Sequence, residues 1–118
     1  MQIQINAADL STTDALWTFI NKEVEHALRR HAEQLTRVEV HLHDLNSKQK
    51  SGTDKRVVME ARPRGHQPIV AQDESTDIYE AVRGAVRKLD RALTHKLERI
   101  GDKRAGGTAR PTQPFEGA

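Results

Sequence analysis

Residues 37–43 read Arg37-Val38-Glu39-Val40-His41-Leu42-His43. Apolar and polar side chains alternate without a break. Val38, Val40 and Leu42 therefore share one side of a strand, and Arg37, Glu39, His41 and His43 the other. A strand with one apolar side belongs to a sheet covered on one face and open on the other. That requirement decides the fold, because the rest of the chain must supply elements that cover a single face.

Three other segments have strand character. Gln2-Ile3-Gln4-Ile5-Asn6 also has period two. Lys55 to Arg62 puts Val57, Met59 and Ala61 on one side, and Pro68 to Gln72 forms a short fourth strand after a turn at Arg64-Gly65-His66. The hydrophilic stretch Asn46 to Asp54 reads as the loop before the third strand. Hairpin connections among the last three strands imply antiparallel pairing.

Two segments have helical periodicity. Leu16, Phe19, Ile20, Val24, Ala27 and Leu28 form one apolar stripe after the capping residues Ser11-Thr12-Thr13-Asp14, which predicts a helix near residues 13–32. Trp17 lies beside that stripe, at the core edge or on the surface. Ile78, Val82, Val86, Leu89, Leu93, Leu97 and Ile100 form a second stripe, with Asp77 as its cap and Gly101 as its stop. The order β-α-β-β-β-α predicts an α+β fold, a four-stranded sheet with two helices packed on one face. The folded domain is expected over 1–101. Residues 102–118, rich in Gly, Pro and Thr beyond Ala105, are expected to form a disordered tail.

With 118 residues, one domain is the default. The absence of cysteine excludes a disulfide framework and any thiolate-held metal, and suits a cytoplasmic protein. The first residues lack the pattern of a signal peptide, and no stretch approaches the roughly 20 apolar residues of a membrane span. Aromatic residues are 3% of the chain, few for a binder that stacks many bases.

The net charge of +2 is unevenly placed: Arg83 to Arg104 holds eight Lys or Arg against three Asp or Glu. Within it, Arg83, Arg87, Arg91, His95 and Arg99 recur every four residues. On a helix they wind slowly across the side away from Leu89 and Leu93, over roughly 24 Å. Lys88 and Lys96 broaden the row. Like charges at this spacing cost a helix about 0.2–0.5 kcal/mol per pair. Guanidinium groups in a row suit phosphate oxygens, held without regard to base sequence. RNA is the expected polyanion. A solvated helix face is the plain alternative.

The segment Asp77-Ile78-Tyr79-Glu80-Ala81-Val82, followed by Arg87-Lys88-Leu89-Asp90-Arg91-Ala92-Leu93-Thr94-His95-Lys96, resembles the last helix of the ribosome hibernation-promoting factor and ribosome-associated inhibitor family. That family shows an Asp-Met-Tyr-x-Ala-Ile start and a Lys-Leu-x-Arg-Gln-Leu run. The element order matches as well, over residues 1 to about 100. The resemblance implies a translation inhibitor of slow growth or stress that binds small-subunit ribosomal RNA in the mRNA and tRNA channel. Lys88 and Arg91 match the motif's basic residues, and His95 and Lys96 fall in its basic tail. Arg83 and Arg87 join them from the stripe. On the first helix Lys22, Arg29 and Arg30 complete the expected RNA-binding set.

This chain departs from the family pattern in several places. Glu23 and Glu25 stand where relatives are often basic, and Ala92 replaces a common Gln. Gly84 sits inside a helix, where it costs about 1 kcal/mol relative to Ala. The strand Asp54 to Arg62 also differs from familiar members. Together these features resemble a divergent branch, and the few residues after Gly101 lead to the expectation of the short form, without the added dimerisation domain of the long ones. The resemblance leaves room for a second reading, a protein-interaction module acting on a partner such as a sigma factor.

Other constellations are weaker. His41 and His43 share a strand face and can begin a metal site, with Glu39 or Glu60 as third ligand. A metal-dependent hydrolase would follow from that, but the expectation is no metal. His26 and His31 are badly spaced for joint ligation, and His66 sits in a turn. Tyr79 and Trp17 are expected to pack rather than to stack on bases. Lys48-Gln49-Lys50 with Lys55-Arg56 reads equally as a second RNA contact or a solvated loop. There is no phosphate-binding glycine loop and no nucleophile elbow. The chain is therefore expected to be no enzyme, to need no cofactor and no small-molecule substrate, and to have no membrane partner. Its oligomeric state is open.

Overall fold

The structure is a computed structural model and describes residues 1–7, 10–45 and 54–108, with side chains through 99. The elements are β1 (Gln2–Asn6), α1 (Asp14–Ala27), a 3-10 segment (Arg29–Gln34), β2 (Leu35–Asp44), β3 (Lys55–Pro63), β4 (Ile69–Ser75) and α2 (Ile78–Thr108). The sheet order is β1-β2-β3-β4. β1 runs parallel to β2, whereas β2–β3 and β3–β4 are antiparallel. This is the expected α+β architecture.

Alternation in the strands becomes burial. Val38, Val40 and Leu42 on β2 and Val57, Met59 and Ala61 on β3 are buried. They meet Leu16, Ile20 and Val24 of α1 and Val82, Ala85, Val86, Leu89 and Leu93 of α2 in one core. Both helices therefore lie on the same sheet face. The other face carries Arg37, Glu39, His41 and His43, all half-buried.

Local chemistry sets the helix ends. Thr13 Oγ1 accepts from the Leu16 N–H at 3.1 Å, and Asp77 Oδ1 from the Tyr79 N–H at 3.0 Å. The first helix is shorter than expected: α1 ends at Ala27 and the chain tightens into the 3-10 segment. A three-residue turn sets Leu28 and His31 on one side, where both are buried. A 3.6-residue period read from sequence does not anticipate that switch. The second helix is longer than expected and passes through Gly101 to Thr108. A helical glycine costs about 1 kcal/mol without ending the helix, and Asp102-Lys103-Arg104-Ala105 beyond it has no proline to break the ladder. The rest of the expected tail, and Lys48-Gln49-Lys50, lie outside the described residues. Gly65, with φ 73°, makes the left-handed turn between β3 and β4.

Candidate RNA-binding face

Helix α2 packs on β3 and β4, and its outward surface is where the cations lie. Arg87, Arg91, His95 and Arg99 are exposed there, and Lys96 is half-buried. None of these five makes an ion pair among the described residues. At 100° per residue, Arg83 sits on the α1 flank of α2, Arg91 near the outward meridian and Arg99 on the β4 flank. The row thus crosses the helix diagonally, as its four-residue spacing requires.

Three cations of the expected set are tethered instead. Arg83 holds Glu80 at 2.7 Å and lies 5.1 Å over the Phe19 ring. Lys88 Nζ donates to Asp73 Oδ1 at 3.0 Å and to the Gln72 carbonyl at 3.3 Å. Arg30 donates to Thr94 Oγ1 at 2.9 Å and approaches Asp90 at 3.5 Å. These side chains tie elements together, so they differ in role from Arg87 and Arg91 although their sequence signal is the same.

Lys22 on α1 and Arg29, which falls in the 3-10 segment and not on the first helix, are exposed and make no ion pair among the described residues. Lys22 borders an open hollow of about 550 Å³ with Asp14, Thr18, Phe19 and Glu23. Two carboxylates share that hollow with one lysine, so it offers no net positive site. Glu25 is exposed as well. The concentrated positive surface is therefore that of α2.

Two of the described aromatic residues serve packing. Phe19 and Tyr79 meet edge to face, with centroids 4.9 Å apart, and join α1 to the start of α2. Arg83 already covers a face of Phe19, which leaves that face closed to a base. Trp17 is 41% exposed and donates its indole N–H to Thr12.

Two constellations escape sequence reasoning. His31 is buried, with Nε2 3.3 Å from both Thr94 Oγ1 and Asp90 Oδ1. Asp90 Oδ1 has no hydrogen-bond partner among the described residues. Nothing in the spacing of His31 and Asp90 announces a contact across 59 positions. The second is Gly84. An added methyl there would overlap Asp73 Oδ2 and lie 2.6 Å from Asp73 Cγ. The glycine lets the Asp73 carboxylate sit against the helix and hold Lys88.

On the open sheet face, Arg37 reaches Glu39 at 2.7 Å, and Arg62 reaches Glu60 at 3.0 Å and Glu39 at 3.7 Å. Arg56 pairs with Glu74 at 2.8 Å. Desolvation pushes the Glu39 carboxyl up, but Arg37, the His41 hydrogen bond and Arg62 outweigh it and hold it below its ordinary value. Lys55 is raised, first by its hydrogen bond to Asp54 against desolvation, then by Asp44. The face is charge-balanced, unlike α2.

A one-faced sheet closed by two helices, one of them rich in cations, defines an α+β domain. The family profile described as Sigma 54 modulation protein / S30EA ribosomal protein matches residues 3–101, and the chain belongs to that family. Neither half of that description names a catalytic activity. Its fold is similar to that of a ribosomal subunit interface protein from Coxiella burnetii, with TM-score 0.67 and 23% identity over 82% of this chain and 99% of that one. It is also similar to the N-terminal domain of Thermus thermophilus Protein Y, with TM-score 0.60 and 23% identity over 76% of this chain and 92% of that one. No curated protein matches. Among the described residues no helix is long and apolar enough to cross a membrane.

Proposed function

We propose that this protein binds the small ribosomal subunit through its RNA and blocks translation by occupying the mRNA and tRNA channel. The observation that carries this reading is the outward face of α2, where Arg87, Arg91 and His95 stand exposed with no acidic partner among the described residues. Lys96 and Arg99 extend the face, and Lys22 of α1 and Arg29 of the 3-10 segment add to it. Arg30, Arg83 and Lys88 hold the framework and contribute charge at short range. Such a face grips phosphates in any sequence context, and the grip weakens as salt releases the counterion advantage. The folded body then acts as a plug, for which no catalytic group is required.

The test is sedimentation of the full chain with purified ribosomes at low and high salt. Co-migration with the small subunit that weakens with salt supports the reading. Free protein at low salt sinks it. The family's description as a modulation protein favours one rival, a protein partner of the transcription apparatus. RNase treatment separates the two: an RNA-held complex dissolves and a protein-held one survives.

A further inference from the structure

A second cluster of side chains lies on the open sheet face, away from α2. Glu39 on β2 and Glu60 on β3 are direct cross-strand partners, and so are Arg37 and Arg62. A ladder built for stability alone places opposite charges across from each other, since like charges directly opposite are destabilising. Here two carboxylates face each other, and both are largely withdrawn from solvent, with side-chain exposures of 14% and 22%. His41 stands two residues along β2 on the same face. Its Nε2 lies 3.3 Å from Glu39 Oε1.

The oxygens divide their work. Both arginines engage Glu39 through Oε2, and Arg62 engages Glu60 through Oε2. Oε1 of Glu39 is left to His41. Arg37 and Arg62 thereby hold one oxygen of each carboxylate, Oε2 of Glu39 and Oε2 of Glu60. One ligand atom each from Glu39, His41 and Glu60 lie within 4.8 Å of one another. Around a zinc ion with ligand distances near 2.1 Å, tetrahedral ligand atoms sit about 3.4 Å apart. Glu39 and His41 already meet that spacing. Glu60, with three rotatable bonds, can move its carboxylate in from that 4.8 Å range.

We propose that Glu39, His41 and Glu60 form a binding site for a divalent transition-metal cation of the zinc class. One imidazole nitrogen and two carboxylate oxygens are a borderline donor set suited to that class. Three protein ligands leave a fourth position for water. Arg37 and Arg62 balance the two glutamates, so the site is moderate in affinity rather than a structural clamp. The ion would bridge β2 and β3 and relieve the Glu39–Glu60 repulsion. His43, two residues beyond His41, is not part of the set.

The test is titration of the full-length protein with zinc ion alone, read by competition with a chromogenic chelator. Saturable binding of one ion per chain is expected. Glu60→Gln and His41→Ala should each weaken it at least about tenfold, whereas His43→Ala and His66→Ala should leave it within about twofold. Glu60→Gln keeps the side-chain shape, and circular dichroism confirms its fold. Absence of saturable binding, or binding that Glu60→Gln and His41→Ala leave intact, overturns the proposal.

Discussion

Replacing Gly84 by Ala probes how β4 and α2 are joined. In an unconstrained helix the change stabilises by about 0.8–1.0 kcal/mol. Here the new methyl would overlap Asp73 Oδ2 and lie 2.6 Å from Cγ and 3.1 Å from Cβ of the same residue. Asp73 must rotate away and surrender Lys88, held at 3.0 Å. That pair is part-exposed and contributes about 0.2–1 kcal/mol. Crowding the contact costs about 1–3 kcal/mol more. The cost exceeds the propensity gain, so Gly84→Ala should destabilise the protein by about 1–2 kcal/mol. In an Asp73→Ala background the obstruction is reduced to one Cβ, and the same change should stabilise by several tenths of a kcal/mol to about 1 kcal/mol. Urea denaturation of all four proteins measures the coupling, expected to be at least about 1.5 kcal/mol. Equal stabilisation by Gly84→Ala in both backgrounds would mean that Asp73 does not obstruct a side chain at position 84.

Charge reversal at Arg87 and Arg91 together should abolish ribosome co-sedimentation while leaving the urea midpoint nearly unchanged, because both side chains are exposed and make no ion pair among the described residues. Replacing the same two residues by Gln should lower the slope of log affinity against log salt by about 1.8, near 0.9 per lost phosphate contact. Lys88→Gln should do the reverse of the Arg87/Arg91 reversal, with a small loss of stability and little change in ribosome association, since Lys88 is bound to Asp73 and Gln72. Glu39 gives a pH dependence. Its folded pKa lies below the ordinary 4.5, so its contribution is present above that value and is lost as pH falls through the folded value. Glu39→Gln should therefore flatten the stability profile on acidification below about pH 5, followed by urea midpoints at each pH.

Much of the architecture was legible along the chain because it rests on periodicity. The alternation through Arg37–His43 and the stripe from Ile78 to Leu97 each state which side of an element is buried, and burial of those sides leaves few arrangements for six elements. The cation row was legible for the same reason: four-residue spacing means one helix face whatever the helix packs on. Tertiary contact decided the rest. Parallel pairing of β1 with β2 depends on where α1 crosses, and the 3-10 turn at Arg29–Gln34 depends on the room for Leu28 and His31 in the core. Arg87 and Lys88 are neighbours with equal charge in sequence. Both are exposed, and only the packing of β4 beside α2 makes one a cation unpaired among the described residues and the other a strut. Glu39 and Glu60 are 21 positions apart, and only the β2–β3 register brings their carboxylates to one spot. Local pattern carries periodic information, whereas the partner of a side chain distant in sequence is set when strands choose a register and helices settle on the sheet.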